Sequence, residues 1–154
     1  MLDARTRIAD LLLRYARCLD ERRLDDWPEL FVDDAVYQVV TRDNYARGLP
    51  LPLMLCRGKG MLKDRAYAYQ HINIYPLRAD RHLISNLRIE EAAGAYAVEA
   101  DYVIFQTENG GPTSVFSVGR YLDTVVERDG ALKFRTKLVV SDTCVVATAL
   151  SGPM

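Results

Sequence analysis

Histidine is scarce in this chain: its 154 residues contain two, His71 and His82. Cysteine is nearly as scarce. Cys18, Cys56 and Cys144 stand far apart, with no Cys-x-x-Cys pair. Zinc and iron–sulfur centres draw about four Cys and His ligands from short motifs, and no such motif is present. His71, His82 and an acid such as Asp80 or Asp101 supply the residue types of a two-histidine, one-carboxylate iron site. Nothing in their spacing brings them together. An odd number of scattered thiols suits a reducing cytoplasm and not a disulfide framework, and all three read as inert buried thiols. Charge of one sign is lacking too. There are 20 Lys and Arg against 21 Asp and Glu, a formal net charge of -1. No basic excess points to nucleic acid, and no polybasic run points to anionic lipid. The longest apolar run falls well short of the ~20 residues a membrane span needs. Met1-Leu2-Asp3-Ala4-Arg5 lacks the apolar run of a signal peptide.

What is present is an ordinary globular composition, 49% hydrophobic and 27% charged. The length suits one domain over residues 1–154, burying roughly 70% of its unfolded surface. From Asp3 to about Arg23 the pattern is helical, with Ile8, Leu11, Leu12, Tyr15 and Leu19 on one face and Asp3 as N-cap. Pro28 directly follows Trp27, where a first-turn proline is tolerated because its missing N–H would be unpaired anyway. Trp27, Leu30 and Phe31 then share one face of a short helix. Asp33-Asp34 break that pattern, and Val36, Tyr37, Val39 and Val40 read as the first strand.

Residues 41–60 read as an irregular excursion. Its stretch Leu49-Pro50-Leu51-Pro52-Leu53-Met54-Leu55-Cys56 is apolar, yet two prolines bar it from an ordinary central strand. Such a segment is buried under the domain or pressed against another chain. Residues 60–69 read as a short helix, and Ile72-Asn73-Ile74-Tyr75-Pro76 as a turn or edge. From Arg81 to Ser141 everything reads as antiparallel sheet, with turns at Ala92–Ala95, Asn109–Pro112 and Arg128-Asp129-Gly130. Tyr96, Val98, Ala100, Tyr102 and Ile104 alternate onto one side. In the last strand Leu132, Phe134 and Leu138 are expected inside, and Lys133, Arg135 and Lys137 outside. Helices followed by a run of strands with short turns mean α+β, with N-terminal helices on a curved antiparallel sheet.

Three segments carry a family resemblance. The stretch from Asp20 to Val39, centred on Asp26-Trp27-Pro28-Glu29-Leu30-Phe31-Val32-Asp33-Asp34, resembles the N-terminal signature of the β (small) subunits of aromatic-ring-hydroxylating dioxygenases. Arg81-His82-Leu83-Ile84-Ser85-Asn86-Leu87-Arg88-Ile89 is similar to their central strand motif, and Leu138-Val139-Val140-Ser141-Asp142-Thr143 to their C-terminal end. Asp43-Asn44-Tyr45, Asn73-Ile74-Tyr75 and Arg81-His82 look most like the β subunits of terephthalate-type dioxygenases. The resemblance implies the cystatin-like or NTF2-like cone. It also implies a heterohexamer (α3β3), with self-association of the β chains, in aromatic hydrocarbon catabolism. The partner α subunit would carry a Rieske [2Fe–2S] cluster and a mononuclear iron, fed from NAD(P)H through a reductase. Two histidines cannot serve a Rieske centre and an iron in this chain, so it would hold no metal and be inactive alone. The arene, possibly an aromatic carboxylate, would be dihydroxylated by the partner.

A second reading is a cone-pocket isomerase or dehydratase, since folds of this type host both. Tyr15, Asp34, Tyr37 and His82 would then do acid–base work. Against it, Tyr15 and Tyr37 read equally as core aromatics, Asp33-Asp34 as a turn and His82 as a hydrogen-bonded strand residue. For the subunit reading, Leu51, Leu53, Leu55, Tyr75, Arg78 and Arg81 are the candidate interface residues. Arg78-Ala79-Asp80-Arg81 by itself reads as a solvated turn.

Overall fold

A computed structural model describes residues 3–72, 78–143, 150 and 152–154. Helix α1 spans Ala4–Asp20, capped by Asp3, whose carboxylate accepts the Thr6 N–H at 2.7 Å. Its apolar face, Ile8, Leu11, Leu12, Tyr15 and Leu19, is buried. The helix stops three residues short of Arg23, because Arg22 turns into the left-handed region at φ 55. A 3₁₀ turn, Trp27–Leu30, then drives Trp27 into the core, edge-on to Phe31 and Tyr37 at ring separations of 5.5 and 5.3 Å.

Strand β1 runs Phe31–Thr41, so it begins before Asp33-Asp34 and not after them. The two acids lie exposed where β1 slips against its neighbour, between the pairs Phe31–Phe134 and Val36–Thr136. They form an outward irregularity within a strand. Helix α2 is Arg42–Ala46, strand β2 Met54–Arg57 and helix α3 Gly58–His71. Strand β2 is an edge strand on β1, which accommodates the prolines just before it. Then come β3 (Arg78–Ala92), β4 (Ala95–Glu108), β5 (Thr113–Arg128) and β6 (Ala131–Ser141). Arg78-Ala79-Asp80-Arg81 is the opening of β3, paired along β4 from Glu108 to Phe105, and not a turn. Tyr75 and Cys144 lie outside the described residues.

The sheet order is β2-β1-β6-β5-β4-β3. The meander β3 to β6 is antiparallel as expected, but β6 closes on β1 in parallel, so the sheet is mixed. Register slips bend it: one between Ser85 and Arg88 at Asn86 (φ 54), one between Ile104 and Phe105, and one between Thr124 and Val125. The curved sheet stays open and cups α1, giving the NTF2-like cone. The β5–β6 turn uses Asp129 and Gly130 at φ 53 and 77, the positive angles a two-residue hairpin turn requires.

Leu132 and Phe134 face inward as expected, but the last slip reverses the expected facing of β6 beyond Arg135. Thr124 opposes Thr136 while Val125 opposes Phe134, leaving Arg135 as the extra residue. Alternation therefore restarts one residue late. Lys137 turns inward and is fully buried, and Leu138 turns outward.

Candidate functional site

The interior of the cone is lined by tyrosines. Tyr15 comes from α1, Tyr37 from β1, Tyr102 from β4 and Tyr121 from β5, and each is buried to 1% exposure or less. Tyr102 and Tyr121 stack at 4.6 Å, and Tyr15 stands edge-on to Tyr121 at 5.9 Å. Burial pushes the phenols of Tyr15, Tyr37, Tyr102 and Tyr121 upward, so each stays protonated. Tyr15 and Tyr37 both donate to the main-chain carbonyl of Met154, Tyr37 at 3.2 Å, and Tyr37 also accepts the Met154 N–H at 2.7 Å. Tyr102 shares a 3.0 Å hydrogen bond with Ser117.

Among them lies an ion pair. Lys137 Nζ is 2.8 Å from Asp123 Oδ2, with neither side chain exposed. The ammonium also sits 3.7 Å from the ring centre of Tyr121, 4.2 Å from that of Tyr15 and 4.6 Å from that of Phe134. Burial raises the Asp123 carboxyl to about 6 and lowers the Lys137 ammonium, while each opposes the other's shift. A carboxyl near 6 is the value a general base wants. Here, however, it is spent on a lysine inside a closed aromatic cage.

Of the four acid–base candidates, the structure brings Tyr15 and Tyr37 together. It does not bring Asp34, which is exposed on the bulge of β1. His82 faces inward from β3, but its partner is Asp20 at the end of α1. Nδ1 lies 2.5 Å from one carboxylate oxygen, and the His82 main-chain N–H donates to the other at 3.0 Å. The His82 side chain is 3% exposed, and Nε2 has no partner among the described residues. The set Tyr15, Asp34, Tyr37 and His82 is thus not one constellation.

The donor set does not fit iron or a cluster. Among the described residues no three His, Cys, Asp or Glu side chains converge on a point a metal could occupy. His82 is committed to Asp20, and His71 packs on the Tyr67 ring at 4.5 Å. Cys18 and Cys56 are buried thiols whose pKa burial raises. No helix among the described residues is long and apolar enough to cross a membrane.

Several large apolar side chains are exposed on the surface. Leu51 and Leu53 are 60% and 42% exposed beside β2, while Leu55 is half-buried. Arg78 is largely buried and lies 3.6 Å from Glu108, whereas Arg81 is exposed on β3. These two groups sit by opposite edges of the sheet. Between them, on the outer face, Leu83, Val103 and Val118 are direct neighbours across β3, β4 and β5, with Arg81, Phe105 and Val115 as the next row. Leu83 is 57% exposed and Val115 55%.

Sequence reasoning missed this face and the Lys137–Asp123 pair. The face had a signal: Tyr102-Val103-Ile104-Phe105 is apolar on both sides of a strand, the mark of a sheet covered twice. Asp20 carried none, because a helix-ending acid reads as solvated.

The chain matches the SnoaL-like domain model over residues 1–137. It is 38% identical to the anthranilate 1,2-dioxygenase small subunit of Burkholderia cepacia, over 92% of this chain and 88% of that one. It is 30% identical to a β subunit of the terephthalate 1,2-dioxygenase terminal oxygenase component of a Comamonas species, over 96% of each. A crystal structure assigned to the β subunit of an aromatic-ring-hydroxylating dioxygenase of Novosphingobium aromaticivorans superposes with a TM-score of 0.89. It has 39% identity and covers 98% of this chain and 97% of that one.

Proposed function

The chain belongs to the SnoaL-like domain family and, within it, to the β (small) subunits of aromatic-ring-hydroxylating dioxygenases, and from that premise we propose how it serves the oxygenase. It is a structural subunit, folded as one domain over residues 1–154, that holds the larger α subunits in an α3β3 assembly in the cytoplasm. The α subunit carries the Rieske [2Fe–2S] cluster and mononuclear iron, with electrons reaching it from NAD(P)H through a reductase. The substrate is an aromatic carboxylate, the class to which the anthranilate and terephthalate in the relatives' names belong.

One observation carries the structural role: the acid, base and phenol groups that would do acid–base work in this cone are each engaged by a protein partner. Lys137 is paired with Asp123, Tyr15 and Tyr37 hold Met154, and His82 holds Asp20. Outside, an apolar sheet face and an apolar edge loop remain for partners. The Leu83–Val103–Val118 row takes one neighbouring chain; Leu51, Leu53 and Leu55 with Arg78 and Arg81 extend the contact at the two edges, and Tyr75 is a further candidate contact from the sequence alone.

Recovery of this chain from its native cell extract tests the reading. An iron-containing complex with a distinctly larger second chain is the expected result. A small, iron-free species that turns over a substrate by itself would restore the isomerase or dehydratase reading, with His82 and Tyr15 as its first residues to replace.

A further inference from the structure

The Met154 main chain is held among the tyrosines inside the cone. Two hydroxyls from separate elements, Tyr15 on α1 and Tyr37 on β1, converge on its carbonyl, and the Tyr37 hydroxyl also accepts its N–H. Met154 is 3% exposed. Two residues earlier the backbone lies against α3: a Cβ added to Gly152 would lie 2.8 Å from the Tyr69 ring, so the ring would have to shift to admit it. Beside this clamp the Tyr121 hydroxyl is buried without a hydrogen-bond partner among the described residues, so the polar centre has capacity beyond what the tail uses.

We propose that the polar centre of the cone is a binding site for a peptide main-chain carbonyl and N–H, and that the chain fills it in cis with residues 152–154. Residues 152–154 are therefore a plug. Tyr15 and Tyr37 are its receptor, Tyr69 its steric gauge, and the cone stays closed for as long as the plug is seated. A buried phenol needs an acceptor, and a mobile ligand could take these two only by expelling the tail. The inference stands apart from the subunit reading: a chain that finds no larger partner can still be plugged, and a chain that assembles can prove unplugged.

Two measurements test it. Amide exchange in the full chain is expected to show the Met154 N–H protected at least a hundredfold over an unstructured peptide. In Tyr37→Phe, which keeps the ring and removes the acceptor, that protection falls at least tenfold while amides of the β4–β5 ladder keep theirs. Equal Met154 exchange in the two proteins overturns the proposal. The second measurement uses a chain ending at Ala149 and a synthetic peptide of residues 150–154. Saturable binding of the peptide is expected, with a rise in Tm that Tyr15→Phe and Tyr37→Phe together abolish. A shortened chain that folds cooperatively and ignores the peptide overturns it as well. Should the shortened chain fail to fold, the exchange comparison decides alone.

Discussion

Lys137 shows how much one side chain can cost or hold. A charged pair enclosed by tyrosines has lost its water, and its mutual attraction roughly offsets that loss while both partners stay. Replacing only Lys137 with Met strands Asp123 in the cage. Urea unfolding is expected to show a loss of about 3–5 kcal/mol, and Lys137→Met combined with Asp123→Leu should recover most of it. The pair also sets a pH signature. Asp123 titrates at about 6 in the fold against an ordinary 3.8, so its contribution is full below about 4 and is lost as pH rises through 6. Lys137 is lowered from 10.5, so its contribution is full only above that value and is lost as pH falls through its folded pKa. The stability of the natural protein minus that of the double variant should therefore fall between pH 4 and 6 and rise again at alkaline pH. Urea midpoints at pH 4, 7 and 10 check this.

At the scale of elements, two contacts set how the sheet meets α1 and how it bends. His82 ties the first third of β3 to the last residue of α1 through Asp20, and Arg22 reinforces the same corner by donating to the Arg78 carbonyl at 3.1 Å. His82→Ala should cost about 1–3 kcal/mol, because the Asp20 carboxylate keeps only the main-chain N–H. Faster amide exchange in the last turn of α1, with the β5–β6 hairpin unchanged, would locate the loss. Gly119 on β5 lies tight against β6: an added Cβ would fall 2.1 Å from the Val140 carbonyl oxygen. Backbone must move to admit it, so Gly119→Ala should destabilise by about 3 kcal/mol or more, read as a lowered Tm. The strands themselves were legible from alternation. The slips that make a cone of them were not, because a bulge is a choice between near-equal registers, made by what packs behind it.

At the scale of the whole molecule, the charged groups of the interior are paired, and apolar side chains lie exposed on the exterior. The outer row Leu83–Val103–Val118 and the loop with Leu51 and Leu53 give this chain two apolar surfaces. Leu83→Lys and Val115→Lys should leave the isolated chain within about 0.5 kcal/mol of its natural stability, since both side chains are more than half exposed. Size-exclusion chromatography of the natural complex against these variants is expected to show loss of the large species. An unchanged complex would remove the sheet face from the interface and leave the edge loop. The candidate site divides in the same way. Tyr15, Tyr37 and His82 were legible as inward polar residues. Asp123 was not, because its neighbours Leu122 and Thr124 leave no pattern that marks a buried acid.

The sequence by itself determined the class and the order of elements. Hydrophobic period selects α1 and the meander, Asp-Gly and Asn-Gly mark turns, and two histidines with three scattered cysteines form no paired cluster motif. These are local or compositional facts that need no partner in space. Tertiary structure decided which residues meet. It paired β6 with β1 in parallel, turned Lys137 inward by one slipped residue, gave His82 to Asp20 in place of Asp34, and set Met154 between two tyrosines. Each joins positions far apart in the chain, except where a single-residue slip changes a face. Their energies depend on burial and register, which no local pattern encodes.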